Sequence, residues 1–468
     1  MFFSRDFFFL LVGLIAWLTT FSNASLAAEE RWLIKSVRVE GNKVTKERII
    51  LRELSFQAGD TIEKEALEGV LLASKNNVRN TGLFNFVKLE LDSIDAQSLM
   101  VTVKVDERWY TWPEPKFELA EPNLNTWWRN KDFSRVNYGL DIKRFNFRGR
   151  KEKIKLKFQH GWTRKLRLDY TIPFINRKQS AGIGFKLSYS RNREINYATI
   201  NNERQFYKDD RFVREEFLAG AGYTSRKKLY SRYSWSVEYK QINVSDTITT
   251  LASDYFKNNE TSSTFLSLIY GYRNDKRDNS AYPLHGRLLH GTLKKSGLGL
   301  LENGDLNLLE ATLGYNQHGK LRGRFYYGWG LKAKINLLDN PPYYVQQGLG
   351  YGDFVRGYEY YIVDGQHYGV FKSNLKYQLI KPQVKKVDFI PIDQFDTFHY
   401  SLYLNVFTDV GYVSDELYQQ QNRLANDWLM GIGVGLDFVT YYDVVIRFEY
   451  TYNLLGERDL FIHPQNPI

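Results

Sequence analysis

The 468-residue sequence predicts a mainly β protein, a large antiparallel β-barrel spanning a membrane and preceded by one small α+β domain. Three observations predict it. After the first thirty residues no apolar run reaches the length of a membrane helix, so any membrane residence falls to strands. From about residue 112 onward, roughly fifteen or sixteen segments of about 10 to 15 residues alternate apolar and polar side chains. Aromatic residues make up 16% of the chain, including 33 Tyr and 10 Trp, the amphipathic rings that gather at a bilayer–water boundary.

In chain order, the first segment is MFFSRDFFFLLVGLIAWLTTFSNASLAAEE. Arg5 precedes an apolar run from Phe7 to Leu18, and small residues end at Ala27 or Ala28, which reads as a secretory signal peptide over residues 1–27. A membrane anchor is the alternative, but the run is short and polar residues follow at once. Export from the cytoplasm is the expectation.

Residues 31–108 read as a small mixed domain. LIKSVRVEGN alternates like a strand and ends at the turn Gly41-Asn42, and TKERIILREL opens on Thr45, a residue type that caps helices. A second helix over about 62–79 sets Leu67, Val70, Leu71 and Val78 on one face and stops at Asn80-Thr81-Gly82. LFNFVKLELD and SLMVTVKVDE alternate again. Two helices cover one face of a three-stranded sheet, which leaves an edge able to accept an extended peptide through backbone hydrogen bonds, or merely solvated.

The barrel is read over residues 112–468. In GRFYYGWGLKAK, Phe325, Tyr327, Trp329, Leu331 and Ala333 share one face; Arg324, Tyr326, Lys332 and Lys334 share the other. GVFKSNLKYQL and DVVIRFEYTY divide in the same way. About 355 residues allow about 22 per strand and connection if there are 16 strands, a barrel wide enough to leave room inside. Arg322, Arg324, Lys332, Lys334, Lys372, Lys376 and Arg447 then point inward, so much of the formal charge of +11 lines a lumen and does not argue for nucleic-acid binding.

Between strands lies a connection over residues 337–365, far beyond ordinary loop length, containing YGDFVRGYEYY. Its many tyrosines argue for folding back into the lumen, bringing Arg356 with it. A buried guanidinium there requires an anion. Asp409, inward on SLYLNVFTDVGYV with Gly411, and Asp437, inward on MGIGVGLDF, are the candidates, unless both are ordinary solvated lumen residues. The glycines of the second strand leave room for something bulky.

With no cysteine, disulfides, a lipidated N-terminal cysteine and thiolate metal sites are excluded. No G-x-S-x-G, H-E-x-x-H or phosphate-binding loop occurs, and His285 and His290 would point to opposite faces of a strand, so no enzyme, metal or cofactor is expected.

Several of these motifs together resemble the BamA-like outer-membrane assembly and two-partner secretion superfamily, also called the bacterial surface antigen family. Val355, Arg356, Gly357 and Tyr358 are similar to its sixth-extracellular-loop signature, and VFTDVG at 406–411 to its thirteenth-strand motif. GYRNDKRDNSAYPLHG resembles its mid-barrel pattern through Asp275, Arg277, Asp278, Pro283 and Gly286. FNFRGRKEKIKL and DYTIPF look like its early-barrel turns, and Gly41-Asn42 with TGLFNFV like its POTRA consensus. The resemblance implies a 16-stranded barrel in the bacterial outer membrane, one periplasmic POTRA domain, and Arg356 paired with Asp409. Two features depart from the pattern: assembly factors usually carry several POTRA domains, and the last strand, near RDLFIH, is short, the sequence ending PQNPI instead of on the family's usual terminal aromatic. The family links such a weak seam to lateral opening.

Three functions are compatible with this: an insertase or translocase for unfolded outer-membrane clients, two-partner-type secretion of one exported protein, or an anion-preferring channel. The partners expected are unfolded clients, outer-membrane lipid and accessory periplasmic or lipoprotein subunits.

Overall fold

The computed structural model describes residues 31–95, 97–119, 136–256, 258–301, 306–337, 341–386, 397–440 and 444–463; the expected signal peptide lies outside them. The N-terminal domain comprises β1 (Arg31–Glu40), α1 (Glu47–Leu51), β2 (Thr61–Glu63), α2 (Lys64–Arg79), β3 (Phe84–Asp95) and β4 (Ser98–Glu107). Its sheet runs β2-β1-β4-β3, four strands where three were expected, because a three-residue strand is too short to show alternation in sequence. Ile34, Ile49, Ile50, Val78, Phe84, Val101 and Val103 close the core between sheet and helices. The twelve-residue β3 is an outer strand of the sheet.

Thr45 is not the helix cap that its position suggested, since α1 begins one residue later than that cap requires, with Lys46 at its N-cap. Its hydroxyl instead bonds the Glu107 carboxylate at 2.5 Å and receives the Asn146 amide at 2.8 Å, tying the domain to the first barrel turn.

Sixteen strands then form one antiparallel sheet. They are β5 (Thr111–Leu119), β6 (Val136–Phe147), β7 (Glu152–Gly161), β8 (Thr163–Ile172), β9 (Ala181–Asn192), β12 (Arg214–Ser225), β13 (Ser231–Val244), β14 (Ser262–Asp275), β15 (Gly286–Ser296), β16 (Leu308–Lys320), β17 (Phe325–Asn336), β18 (His367–Lys386), β19 (Thr397–Ser414), β20 (Trp428–Val439), β21 (Val445–Asn453) and β22 (Arg458–His463). A separate hairpin, β10 (Glu194–Ile200) and β11 (Glu203–Lys208), and the short helix α3 (Asp246–Leu251) stand at the rim far from the N-terminal domain.

The sheet curls into a barrel whose opposite walls meet through side chains. Tyr282, between β14 and β15, bonds Asp437 of β20 at 2.6 Å, and the backbone N–H of Asn202, between β10 and β11, donates to Asn422 beyond β19 at 2.8 Å. Lipid offers no hydrogen bonds, so spanning strands must satisfy their backbones in ladders. Between β5 and β22, however, no ladder is present among the described residues.

The alternation read from sequence is the alternation of the wall. Phe371, Leu375, Leu404, Val406, Phe448 and Tyr450 are exposed on the outer face, while Lys372, Asn374, Asn405, Asp409, Arg447 and Glu449 are buried on the inner one. Arg322 and Arg324 correct the expected lumen lining: both lie exposed in the turn between β16 and β17, where the period-2 rule ends.

The N-terminal domain sits on four turns at the near rim of the barrel. Lys46 donates its N–H to the Gly149 carbonyl at 2.9 Å, and Arg52 donates to the carbonyls of Gln179 and Arg226, both at 2.7 Å. The Asn80 amide reaches the Arg277 carbonyl at 3.1 Å. Glu53, 2% exposed, takes both arms of the Arg226 guanidinium at 2.6 and 2.7 Å, with Lys151 at 3.6 Å. Burial alone would push the Glu53 carboxyl up, but Lys151 and Arg226 outweigh it and hold it down at about 2. Burial also holds the Lys151 ammonium down at about 8, helped by Arg226 and opposed by Glu53.

Candidate functional site

The connection between β17 and β18 folds into the lumen. Leu349, Val355, Tyr358 and Val363 pack with Tyr368, Val370, Val413 and Leu429 of the wall into one apolar cluster, and the Leu349 and Val363 backbones bridge each other. Val355 and Tyr358 therefore anchor the segment by burial, and the residue between them and Gly357 is delivered to a fixed point.

That residue is Arg356, fully buried. Its guanidinium forks onto Asp409, Nε to Oδ2 at 2.8 Å and Nη2 to Oδ1 at 2.5 Å, while the Arg356 backbone N–H donates to the same carboxylate at 3.1 Å. Nη1 donates to Asn374 at 2.8 Å and to Glu449 at 3.1 Å, and Nη2 to the Ser373 carbonyl at 3.2 Å. Phe407 lies beneath, its ring centre 3.8 Å from the guanidinium carbon. The cation thus touches β18, β19 and β21 at once. Desolvating such a charge is costly, and only this complete set of acceptors offsets it.

Two glycines make the approach possible. Gly357 has φ +93°, a conformation that side chains disfavour, and its carbonyl receives the Asn453 amide at 2.7 Å. At Gly431 a Cβ would stand 1.7 Å from the Arg356 carbonyl oxygen. Gly411 plays a similar part beside Val355, whose methyl would lie 2.5 Å from an added Cβ.

Asp437 does not touch Arg356. It holds Arg447 at 2.7 and 3.1 Å and accepts from Tyr282 and Asn405, each at 2.6 Å. Arg447 and Arg356 share the Glu449 carboxylate, at 3.5 and 3.1 Å, so Asp437 belongs to an adjoining cluster. Glu449 is the partner that sequence reasoning missed. Period-2 alternation placed it on the inner face beside Arg447, but nothing local in sequence brings it to a residue 93 positions away.

The mid-barrel motif lies at the near rim, in the turn between β14 and β15. Asp275 takes Arg277 twice at 2.9 Å and Arg273 at 2.7 Å. The Asp278 carboxylate accepts the N–H groups of Asn279, Leu284 and His285 at 2.8, 3.1 and 3.1 Å, which pins the turn through buried Pro283. Gly286 closes it with φ +95°. Held this way, the turn sends Tyr282 inward to Asp437 while presenting its carbonyls to Asn80 outside. A line of hydrogen bonds, completed by the Arg447–Glu449 ion pair at 3.5 Å, thus runs from the turn that touches the N-terminal domain through Tyr282, Asp437, Arg447 and Glu449 to Arg356.

Among the described residues no cluster of His, Asp and Glu is arranged to hold a metal. The arrangement offers retention and release of a loop.

No curated protein matches the sequence. The model of the surface antigen variable number repeat, POTRA, matches residues 33–108, and the Omp85 superfamily domain matches residues 146–459. Among solved structures, BamA from Haemophilus ducreyi lacking POTRA domains 1–3 is similar with TM-score 0.51 at 14% identity, over 92% of this chain and 83% of that one. CdiB from Escherichia coli is similar with TM-score 0.55 at 12% identity, over 93% and 75%. At such identities the likeness is one of fold. The family models, which cover the barrel as well as the domain in front of it, place the chain in the Omp85 superfamily, as a member with one POTRA domain ahead of a 16-stranded barrel.

Proposed function

We propose that the chain is a non-enzymatic protein-handling barrel of the bacterial outer membrane, with its POTRA domain in the periplasm, that passes unfolded outer-membrane clients into the bilayer. In this reading an extended client segment adds to the edge of β3 by backbone hydrogen bonds and is handed to the barrel. The observation that carries it is the contrast between lumen and seam. The lumen is occupied by a loop held on a buried, fully paired arginine, and the POTRA domain lies on the near rim, whereas β5 and β22 share no ladder among the described residues. The least obstructed way out of the barrel is sideways.

Secretion of one exported protein through the lumen is the second reading. It is favoured by the basic inner wall around Lys372 and Lys376, and it requires both the loop and the domain to move aside. Comparing outer-membrane and secreted protein levels with and without the chain separates the readings. Insertion predicts that many outer-membrane proteins fall together, and secretion that one exported protein is lost. An unchanged profile, with only solute permeability altered, leaves a channel and refutes both.

A further inference from the structure

At the rim far from the N-terminal domain, the outward faces of β8 and β9 carry arginine where the rows beneath carry apolar side chains. Arg164 of β8 lies directly across from Arg191 of β9, and Arg191 across from Glu215 of β12. Like charges set opposite one another in a sheet repel. Arg193, just past the end of β9, joins them: the guanidinium carbons of Arg164, Arg191 and Arg193 stand 5.0, 4.1 and 5.4 Å from the centre of the Phe212 ring. Glu215 answers Arg191 at 2.7 Å. Among the described residues no carboxylate answers the other two, and the Nε of Arg193 is buried without an acceptor. Three guanidinium groups against one carboxylate leave two positive charges over, close to what a phosphate monoester neutralises.

The outward rows beneath change character at each step of two residues, about 6.6 Å along the strands. In the first, Leu166, Tyr189 and Phe217 stand side by side in register, Tyr189 exposed to the outside and Phe217 packed on Tyr239. In the next two, Leu187 and Phe185 of β9 flank Ala219 and Ala221 of β12, with Tyr239 and Val237 of β13 beyond them. The alanines are shorter than their neighbours, so β12 floors an apolar groove, made of two adjoining hollows of about 520 and 580 Å³. A plain apolar wall would meet any lipid. A groove that starts below unneutralised guanidinium groups fits a particular one.

We propose that this face binds one molecule of a phosphorylated glycolipid of the outer leaflet. Its phosphate lies on Arg164, Arg191 and Arg193, its sugar against Tyr189 and Phe217, and an acyl chain along Ala219 and Ala221. Guanidinium groups fork onto phosphate oxygens, aromatic rings at a membrane boundary accept an amphipathic headgroup, and the hollows take hydrocarbon. From the rim towards the middle of the wall, the rows follow the order of that molecule: charge, ring, chain. A phospholipid supplies charge and chain but leaves the aromatic row without a sugar. The proposal rests on the outer-membrane placement in the reading above, with the far rim at the cell exterior, and holds for insertion and for secretion alike.

The placement is tested by itself. The chain has no native cysteine, so Asp210→Cys, exposed in the turn before β12, should take a membrane-impermeant maleimide on intact cells. No labelling of a folded barrel overturns the placement and with it the outer-leaflet source. For binding, the full chain in neutral detergent is titrated with diphosphoryl lipid A, with its dephosphorylated form and with phosphatidylglycerol, and bound lipid is counted by native mass spectrometry. Diphosphoryl lipid A is expected to bind at least about tenfold more tightly than either, the effect of one charge-assisted hydrogen bond. Arg164→Gln with Arg193→Gln should erase its advantage over the dephosphorylated form. Ala219→Phe, which fills the groove, should weaken both lipid A forms about tenfold in a barrel that still migrates as folded without heating. Equal binding of all three lipids, indifferent to the variants, leaves a basic rim without a site and overturns the proposal. A preference that survives the arginine replacements overturns the phosphate contact, and affinity unmoved by Ala219→Phe overturns the groove. Phosphatidylglycerol bound as tightly as diphosphoryl lipid A overturns the sugar row.

Discussion

Gly431 lies directly under the carbonyl of Arg356, with so little space between them that a single methyl group at Gly431 would stand 1.7 Å from the oxygen. The β20 backbone therefore serves as the floor on which the lumenal loop rests. Gly431→Ala is expected to lift the loop at a cost of about 1–3 kcal/mol, as overpacking does elsewhere. Faster proteolysis within residues 346–366, in a barrel that still migrates as folded without heating, is the outcome to look for; an unchanged cleavage rate refutes the floor.

Arg356→Ala removes the cation and leaves Asp409 and Glu449 buried with fewer partners, and Asp409→Asn removes the forked anion. Each is expected to destabilise loop docking by about 3–5 kcal/mol while the barrel remains inserted, because no strand is lost. The double variant Arg356→Ala with Asp409→Ala should cost less than the sum of the single ones by about 0.5–3 kcal/mol. Full function and native protease resistance in both single variants refute the tether.

Tyr282→Phe deletes one hydrogen bond to Asp437 and keeps the ring. Asp437 retains Arg447 and Asn405, so the expected loss is about 1–2 kcal/mol at this contact. If the line from the rim to Arg356 is coupled, hydrogen exchange rises at Arg447 and Glu449 as well as at residues 279–285. Exchange confined to the turn shows that the two ends are independent.

Docking of the POTRA domain carries a pH signature through Glu53. Its carboxyl sits at about 2 in the folded protein against an ordinary value of 4.5, so the unfolded or undocked chain takes up the proton first. The contribution is complete above about pH 4.5 and is lost as pH falls towards 2. Cross-linking between positions 77 and 230, whose side chains meet at 3.3 Å, should weaken over that window and not between pH 5 and 7. Glu53→Gln should flatten the profile; a profile that keeps its shape assigns the acid response to another group.

The wall was legible because a membrane barrel imposes the simplest pattern a sequence can carry. From β17 to β21, one residue in two faces lipid, and Phe371, Leu375, Val406 and Phe448 obey it. The same pattern misplaced Arg322 and Arg324, since alternation has no meaning in the turn they occupy. It singled out Arg356 and Asp409, an unlikely charge in a long aromatic loop and an inward acid among glycines. It could not choose between Asp409 and Asp437, because that depends on the register of loop against wall, and it gave Glu449 no partner for the same reason. The proximity of the POTRA domain to four separate turns, and of Glu53 to Arg226, was invisible: contacts 173 residues apart leave no local periodicity.

The strands of the β18–β19 hairpin have 20 and 18 residues, against 12 in β17 and β20. The extra length runs past the near rim, where His399 brings its ring to 6.4 Å from Phe86 of β3. Asn374 and Asp409, which grip the guanidinium, stand on these same two strands. A paired β-ribbon holds its two strands together along its length, so a displacement of the stretch beside Phe86 would reach the grip as a push or a twist. The outer strand of the POTRA domain and the restraint on the lumenal loop thus meet the same two strands at opposite ends.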